Sequence, residues 1–282
     1  MTKGYVFFGT PEFAAIILEK LIGAGIIPLA LVCNPDRPQG RNKEITPPAT
    51  KQFLQYKDLP IKVFQPESKE ELKKLKNKIF KHADLGIVAA YSQIIPKSVI
   101  DKPELGIIGV HPSLLPKFRG PSPIRSFILS GETATGTTLY SMDEKVDHGP
   151  LIASRKIEYT GEHYDVLMKK LAETGAQLLI DTLPQFKRDP FFLHPQDESK
   201  ATYTKKFSPE DGYIPSHELE AATAGNTAKA DEILRKIRAL NPEPGVYTFV
   251  NTKRTKLLDA EVADGKLILK KIQKEGKTPV SL

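Results

Sequence analysis

Two stretches hold residues whose types and spacing could do chemistry. In Gly106-Ile107-Ile108-Gly109-Val110-His111-Pro112-Ser113, a histidine ends an apolar run and a proline-bounded loop follows at once. An open α/β sheet presents its reactive groups there, beyond the carboxyl end of a strand. In Met142-Asp143-Glu144-Lys145-Val146-Asp147-His148-Gly149-Pro150, an acidic turn precedes a second apolar run. Asp143 and Glu144 read as solvated turn residues, whereas Asp147, just before Gly149-Pro150, can point inward. A histidine backed by a carboxylate can shuttle a proton or donate to a developing oxyanion, because the carboxylate stabilises the imidazolium. Asp147 and His148 are adjacent, and neighbours in sequence rarely build a metal site alone, so no metal is expected. His82, His163, His194 and His217 carry no motif and read as surface or structural.

Placing these residues requires a scaffold, and the first half of the chain supplies its pattern. Short β-branched runs at Tyr5–Phe8, Ile26–Asn34, Lys62–Phe64, Leu85–Ala90 and Gly106–Val110 alternate with helical stretches. Thr10–Ile22 reads as a helix with Thr10 as N-cap and Pro11 in its first turn. Near-continuous apolar strands separated by helices predict a parallel sheet covered on both faces, a Rossmann-like doubly wound α/β layout. The turn Phe8-Gly9-Thr10-Pro11 lacks the later glycines of a dinucleotide fingerprint, so NAD binding is disfavoured. A helix at Ser122–Ser130, strands at Thr137–Met142 and Leu151–Tyr159 and a long helix from Tyr164 to Thr182 complete a large domain over 1–187. The polar stretch to Pro209, with Pro190 and Pro195, reads as a linker over 188–209. A helix at Ala228–Leu240 and strands at Tyr247–Val250, Lys256–Ala263 and Lys266–Ile272 predict a small β-rich domain, a partial OB-like barrel, over 210–282.

The chain of 282 residues has 41 Lys and Arg against 34 Asp and Glu, a net charge of +7. From Lys229 to Leu282 there are twelve basic and seven acidic residues, so much of that excess sits in the small domain. A basic module on a nearly neutral one suits a polyanionic partner such as nucleic acid. No apolar run approaches the roughly 18 residues of a membrane span. The single Cys33 lies in an apolar run, is expected in the core, and suits a reducing cytoplasm.

The chain resembles a known family. Ser113-Leu114-Leu115-Pro116, then Arg119-Gly120, then Asp147 with Gly149 two residues on, are similar to the formyltransferases that use 10-formyltetrahydrofolate. The resemblance implies a catalytic role for His111 and Asp147. The family's asparagine falls at position 109, where this chain has Gly109. Phe8-Gly9-Thr10-Pro11-Glu12-Phe13, the basic stretch Pro35 to Lys43, and Ile237-Arg238-Ala239-Leu240-Asn241-Pro242 resemble the branch whose acceptor is the methionyl initiator tRNA. That branch implies folate contacts from Ser113, Leu114, Leu115, Pro116, Tyr91 and Ile94, and tRNA contacts from Arg37, Arg41 and Lys43. It also implies a cytoplasmic monomer with no membrane partner. With glycine at 109, either His111, a backbone amide or a water supplies the missing donor, or turnover falls by about two orders of magnitude. A sugar-nucleotide N-formyltransferase and a protein that binds folate or tRNA without chemistry are the competing expectations.

Overall fold

Strands whose two faces must both be filled read as unbroken apolar runs, and the first of them is buried throughout. The computed structural model describes residues 4–40, 43–186 and 193–282. In chain order the elements are β1 (Tyr5–Gly9), α1 (Glu12–Gly23), β2 (Ala30–Val32), β3 (Arg37–Gln39), β4 (Glu44–Thr46), α2 (Ala49–Tyr56), β5 (Lys62–Phe64), α3 (Lys69–Ile79), β6 (Leu85–Ala89), α4 (Lys97–Ile100), β7 (Ile107–His111), α5 (Pro123–Ser130), β8 (Ala134–Ser141), β9 (Leu151–Glu158) and α6 (Tyr164–Phe186), with β3 and β4 paired only with each other. Seven strands form one sheet in the order β5-β2-β1-β6-β7-β8-β9. Strands β5, β2, β1, β6 and β7 are parallel neighbours, and β8 runs antiparallel to β7. The doubly wound, mostly parallel α/β sheet is therefore present. From β1 the chain builds outward to β2 and β5, then returns to β6 and β7 on the other side. That reversal is where such sheets open a crevice at their carboxyl ends.

One core cluster joins Val6, Phe8, Val32, Phe64, Leu72, Phe80, Val88, Val99 and Ile107 across this sheet. Each such side chain, buried, contributes roughly 1.5–3 kcal/mol relative to exposure. Cys33 is fully buried as expected, and burial pushes its thiol up to about 12. Helix α3 starts where Ser68 accepts a hydrogen bond from the Glu71 amide, with Glu70 and Glu71 in its first turn and Lys76 and Lys78 in its last, complementing the helix dipole.

The structure corrects several local expectations. Thr10 does not cap α1; the N-cap is Pro11, and the Thr10 hydroxyl instead accepts from the Asn34 amide. Strand β2 is shorter than Ile26–Asn34, because Ile27 and Leu29 are 56% and 45% exposed rather than in the core. The basic stretch Pro35 to Lys43 supplies β3, the first strand of a hairpin with β4 in which Arg37 lies opposite Thr46.

The chain then forms α7 (Ser216–Ala224), α8 (Thr227–Leu240), β10 (Tyr247–Val250), β11 (Lys253–Ala263), β12 (Lys266–Lys274) and β13 (Val280–Ser281). The last four make an open antiparallel sheet in the order β10-β11-β12-β13, bulged around Leu257–Ala260. Ala263 pairs with Lys266 across Asp264-Gly265, both at positive φ, as a two-residue hairpin turn demands. Contacts divide the chain into two compact units: Met1–Arg119 with Gly136–Ile157 and Met168–Thr202, and Gly120–Thr135 with Glu158–Leu167 and Tyr203–Leu282. In the second unit α8 packs on α5, α7, β11 and β12. Also there, Arg125 stacks 3.8 Å from the Tyr164 ring and donates to the Glu243 carbonyl.

Candidate active site

His111 is the last residue of β7, whose five residues are all buried. The register pairs His111 with Thr138, Val110 with Leu139 and Gly109 with Tyr140. The imidazole is nearly enclosed, with 7% of the side chain exposed, and both its nitrogens face oxygen. Nδ1 lies 3.5 Å from Asp147 Oδ2, and Nε2 lies 2.9 Å from the Phe118 carbonyl. The Asp147 separation is longer than an ordinary N–H···O bond, close enough for the carboxylate to stabilise a proton on the ring when one arrives.

Three supports hold Asp147 in place. Its φ of 49° is left-handed, a conformation that aspartate tolerates better than bulkier residues. The Tyr140 hydroxyl donates to Oδ1 at 2.8 Å. The Gln196 amide donates to the carbonyls of Asp147 and Gly149 at 2.9 and 2.7 Å. Gly149 must be glycine, because a Cβ there would run into the Ser141 carbonyl. Gln196 is in turn gripped by Arg119, whose Nε and Nη2 donate to its Oε1 at 3.1 and 2.7 Å. Arg119 is fully buried and also meets both carboxylate oxygens of Glu198, holding that carboxyl below its usual range.

The loop after β7 is laced to β8. Thr138 Oγ1 donates to the Ser113 carbonyl at 2.6 Å and accepts from the Leu115 amide at 3.2 Å. The Ser113 hydroxyl donates to the Lys117 carbonyl. Ser113 and Leu115 are buried, Leu114 and Pro116 half-buried, and the Leu115–Pro116 peptide is cis. Phe118 is also at positive φ, 60°, which turns its carbonyl toward His111.

The sequence-based candidates are thus partly assembled. His111 and Asp147 meet, and Gly109 lies two residues before the histidine on the same strand. Ala89 pairs with Val110, so the segments carrying Tyr91 and Ser113 leave the sheet from neighbouring strands. Tyr91 packs its ring against Phe8, while Ile94 is 77% exposed. Arg37 and Lys43 are exposed on and beside the hairpin, whereas Arg41 lies outside the described residues. His148 pairs with Asp143 at 2.5 Å and approaches Glu198 at 3.6 Å instead of joining Asp147. Among the described residues no group of three or more His, Cys, Asp or Glu could hold a metal. Sequence reasoning missed Tyr140 and Gln196. Only the first left a signal: a glycine in a strand interior marks close approach by another group.

Residues 3–183 match the formyl transferase family, and residues 227–267 match the formyl transferase C-terminal domain. The chain belongs to the formyl transferase family. A protein named methionyl-tRNA formyltransferase from Chloroflexus aggregans is 37% identical over 92% of this chain and 80% of its own length. One of the same name from Listeria monocytogenes is 39% identical over 94% of this chain and 81% of its own. Among solved structures, methionyl-tRNA formyltransferase from Clostridium thermocellum superposes with a TM-score of 0.57 at 17% identity, covering 96% of this chain and 98% of that one. HypX from Aquifex aeolicus in complex with tetrahydrofolic acid gives 0.64 at 17% identity, covering 99% of this chain and 45% of that one. At such identity the likeness is one of fold. Among the described residues no helix is long and apolar enough to cross a membrane.

Proposed function

We propose that the protein transfers the formyl group of 10-formyltetrahydrofolate to the α-amine of methionyl initiator tRNA. One observation carries the reading: His111 and Asp147 come together at the carboxyl edge of the sheet, in a chain 37% and 39% identical to two enzymes of that name. In the reaction the amine nitrogen bonds to the formyl carbon, the bond from that carbon to N10 breaks, and the amine's proton ends on N10. As the amine adds, the formyl oxygen gains charge, and one good donor there lowers the barrier by roughly 3 kcal/mol. His111 is the donor in this reading, with Asp147 balancing the imidazolium and the formyl oxygen competing with the Phe118 carbonyl for Nε2–H. Gly109 has no side chain with which to help.

Ser113, Leu114, Leu115 and Pro116 on one loop, with Tyr91 and Ile94 on the other, form the folate side. The paired strands beneath them and the exposed apolar Ile94 support that assignment, since planar ligands are held mainly by apolar walls and a few fixed polar groups. Arg37, Arg41 and Lys43 clamp tRNA phosphates, and the basic C-terminal unit offers a polyanion-binding surface of its own. In that unit Tyr213, Tyr247 and Phe249 cluster with Arg254 3.7 Å from the Tyr247 ring, a surface suited to stacking bases. A cytoplasmic location accords with this role.

The test is a single-turnover assay with the folate donor and charged initiator tRNA, run beside His111→Ala. Formyl-methionyl product from the unmodified protein and none from the variant supports the proposal. Absence of product from both at micromolar enzyme removes it, and product with a sugar-nucleotide amine in place of tRNA replaces the acceptor.

A further inference from the structure

Strands β7 and β8 set a glycine directly opposite a tyrosine beside the reactive pair. A Cβ on Gly109 would fall inside contact distance of Tyr140 Cε1 and Cζ and 2.7 Å from its hydroxyl oxygen. Non-bonded carbons settle at about 3.5–4.0 Å, so the phenol occupies the volume any side chain at 109 would take. The ring is only 5% exposed, yet its one polar atom is not wasted on solvent: the hydroxyl donates to Asp147 Oδ1 at 2.8 Å. The other oxygen of the same carboxylate is the one facing His111 Nδ1. Burial first, and the Asp147 charge second, keep the phenol protonated well above the usual tyrosine range, so it stays a donor at any working pH.

We infer that Tyr140 is a positioning residue of the active site: seated in the space that Gly109 leaves open, it fixes Asp147 Oδ1 so that Oδ2 is presented to His111. A residue serving only to pack would need the ring and not the hydroxyl. Here the hydroxyl ends on the carboxylate that orients the histidine. The glycine and the tyrosine then act as one unit, because the ring reaches this seat only while position 109 has no Cβ.

The inference rests on the formyl-transfer reading, and two measurements keep the failures apart. Tyr140→Phe retains the ring and removes the donor. It is expected to lower single-turnover kcat by about ten- to a hundredfold, the range of a lost hydrogen bond to a charged group. The KM values for both substrates should stay as they were, and the melting temperature should fall by only a few degrees, the cost of one lost hydrogen bond to a mostly buried carboxylate. Gly109→Ala keeps the hydroxyl but displaces the ring, and should lower kcat in the same direction. Independently of any reaction, the ¹⁵N imidazole resonances of His111 should move in Tyr140→Phe. Product from the unmodified protein together with unchanged kcat and unmoved resonances in Tyr140→Phe overturns the role of Tyr140. Absence of product from the unmodified protein overturns the reaction instead, and the resonances then decide the positioning role alone.

Discussion

Replacing Asp147 by asparagine isolates what its charge does. The substitution preserves shape and an oxygen for the Tyr140 hydroxyl, and it leaves the main-chain bonds from Gln196 untouched. It removes a negative charge 3.5 Å from His111 Nδ1, where the two side chains are 16% and 7% exposed. At an effective dielectric of about 20, unit charges at that separation interact by about 4–5 kcal/mol. If the imidazolium forms only as the transition state is reached, all of this bears on the barrier, a ceiling of about one to five thousandfold. The neutral amide dipole restores part of it, so kcat is expected to fall between about a hundred- and a thousandfold in a single-turnover assay. Folate and tRNA affinity, measured by equilibrium binding, should not change. A variant retaining kcat within about threefold would refute the reasoning, because it would show that the histidine works without a balancing charge. Raised salt should not mimic the effect, since so enclosed a pair is poorly screened.

Three further perturbations reach the rest of the site. Arg119→Met takes both donors from Gln196 Oε1; an unsatisfied acceptor of this kind costs roughly 1–2 kcal/mol. Calorimetry should therefore show a melting temperature lower by about 2–8 °C, with a fall in kcat as Asp147 loses its anchor; Arg119→Lys should not rescue, because an ammonium lacks the planar fork. Gly109→Asn alone should abolish turnover and destabilise the fold by collision with Tyr140, while Gly109→Asn with Tyr140→Ala should recover folding by calorimetry; an active, stable single variant would show that the ring yields freely. Joint replacement of Arg37, Arg41 and Lys43 by alanine should raise KM for tRNA and reduce the slope of log affinity against log salt by about 0.9 per lost phosphate contact; an unaltered slope would make the hairpin a bystander.

The sheet and the end of β7 were legible because a strand buried on both faces advertises itself as an apolar run, and a histidine that closes such a run can only emerge at the carboxyl edge. Gly149 beside Asp147 likewise signalled a tight turn. What stayed hidden depended on register or on long-range return of the chain. Tyr140 is 31 residues from Gly109, and nothing local says that the two are opposed. Gln196 arrives from a polar stretch that reads as linker, and its importance lies in reaching two carbonyls across the fold. Helix α2 escaped because it buries only Thr50 and Leu54, and α7 because it buries only Ala222, too little to print a helical period. The Thr10 cap failed because the Asn34 amide, two residues past β2, offered its hydroxyl a better partner.

The shared volume between Gly109 and Tyr140 also constrains how such a site can evolve. Two positions that fill one space are epistatic: the fitness of either residue depends on the other. A lineage that enlarges position 109 first meets a collision, and one that shrinks position 140 first opens a void, which for loss of an aromatic ring costs about 3–5 kcal/mol. The second route is passable for a chain with stability in reserve, and the first is closed. Substitutions at this pair should therefore be found in a fixed historical order, tyrosine yielding before glycine does.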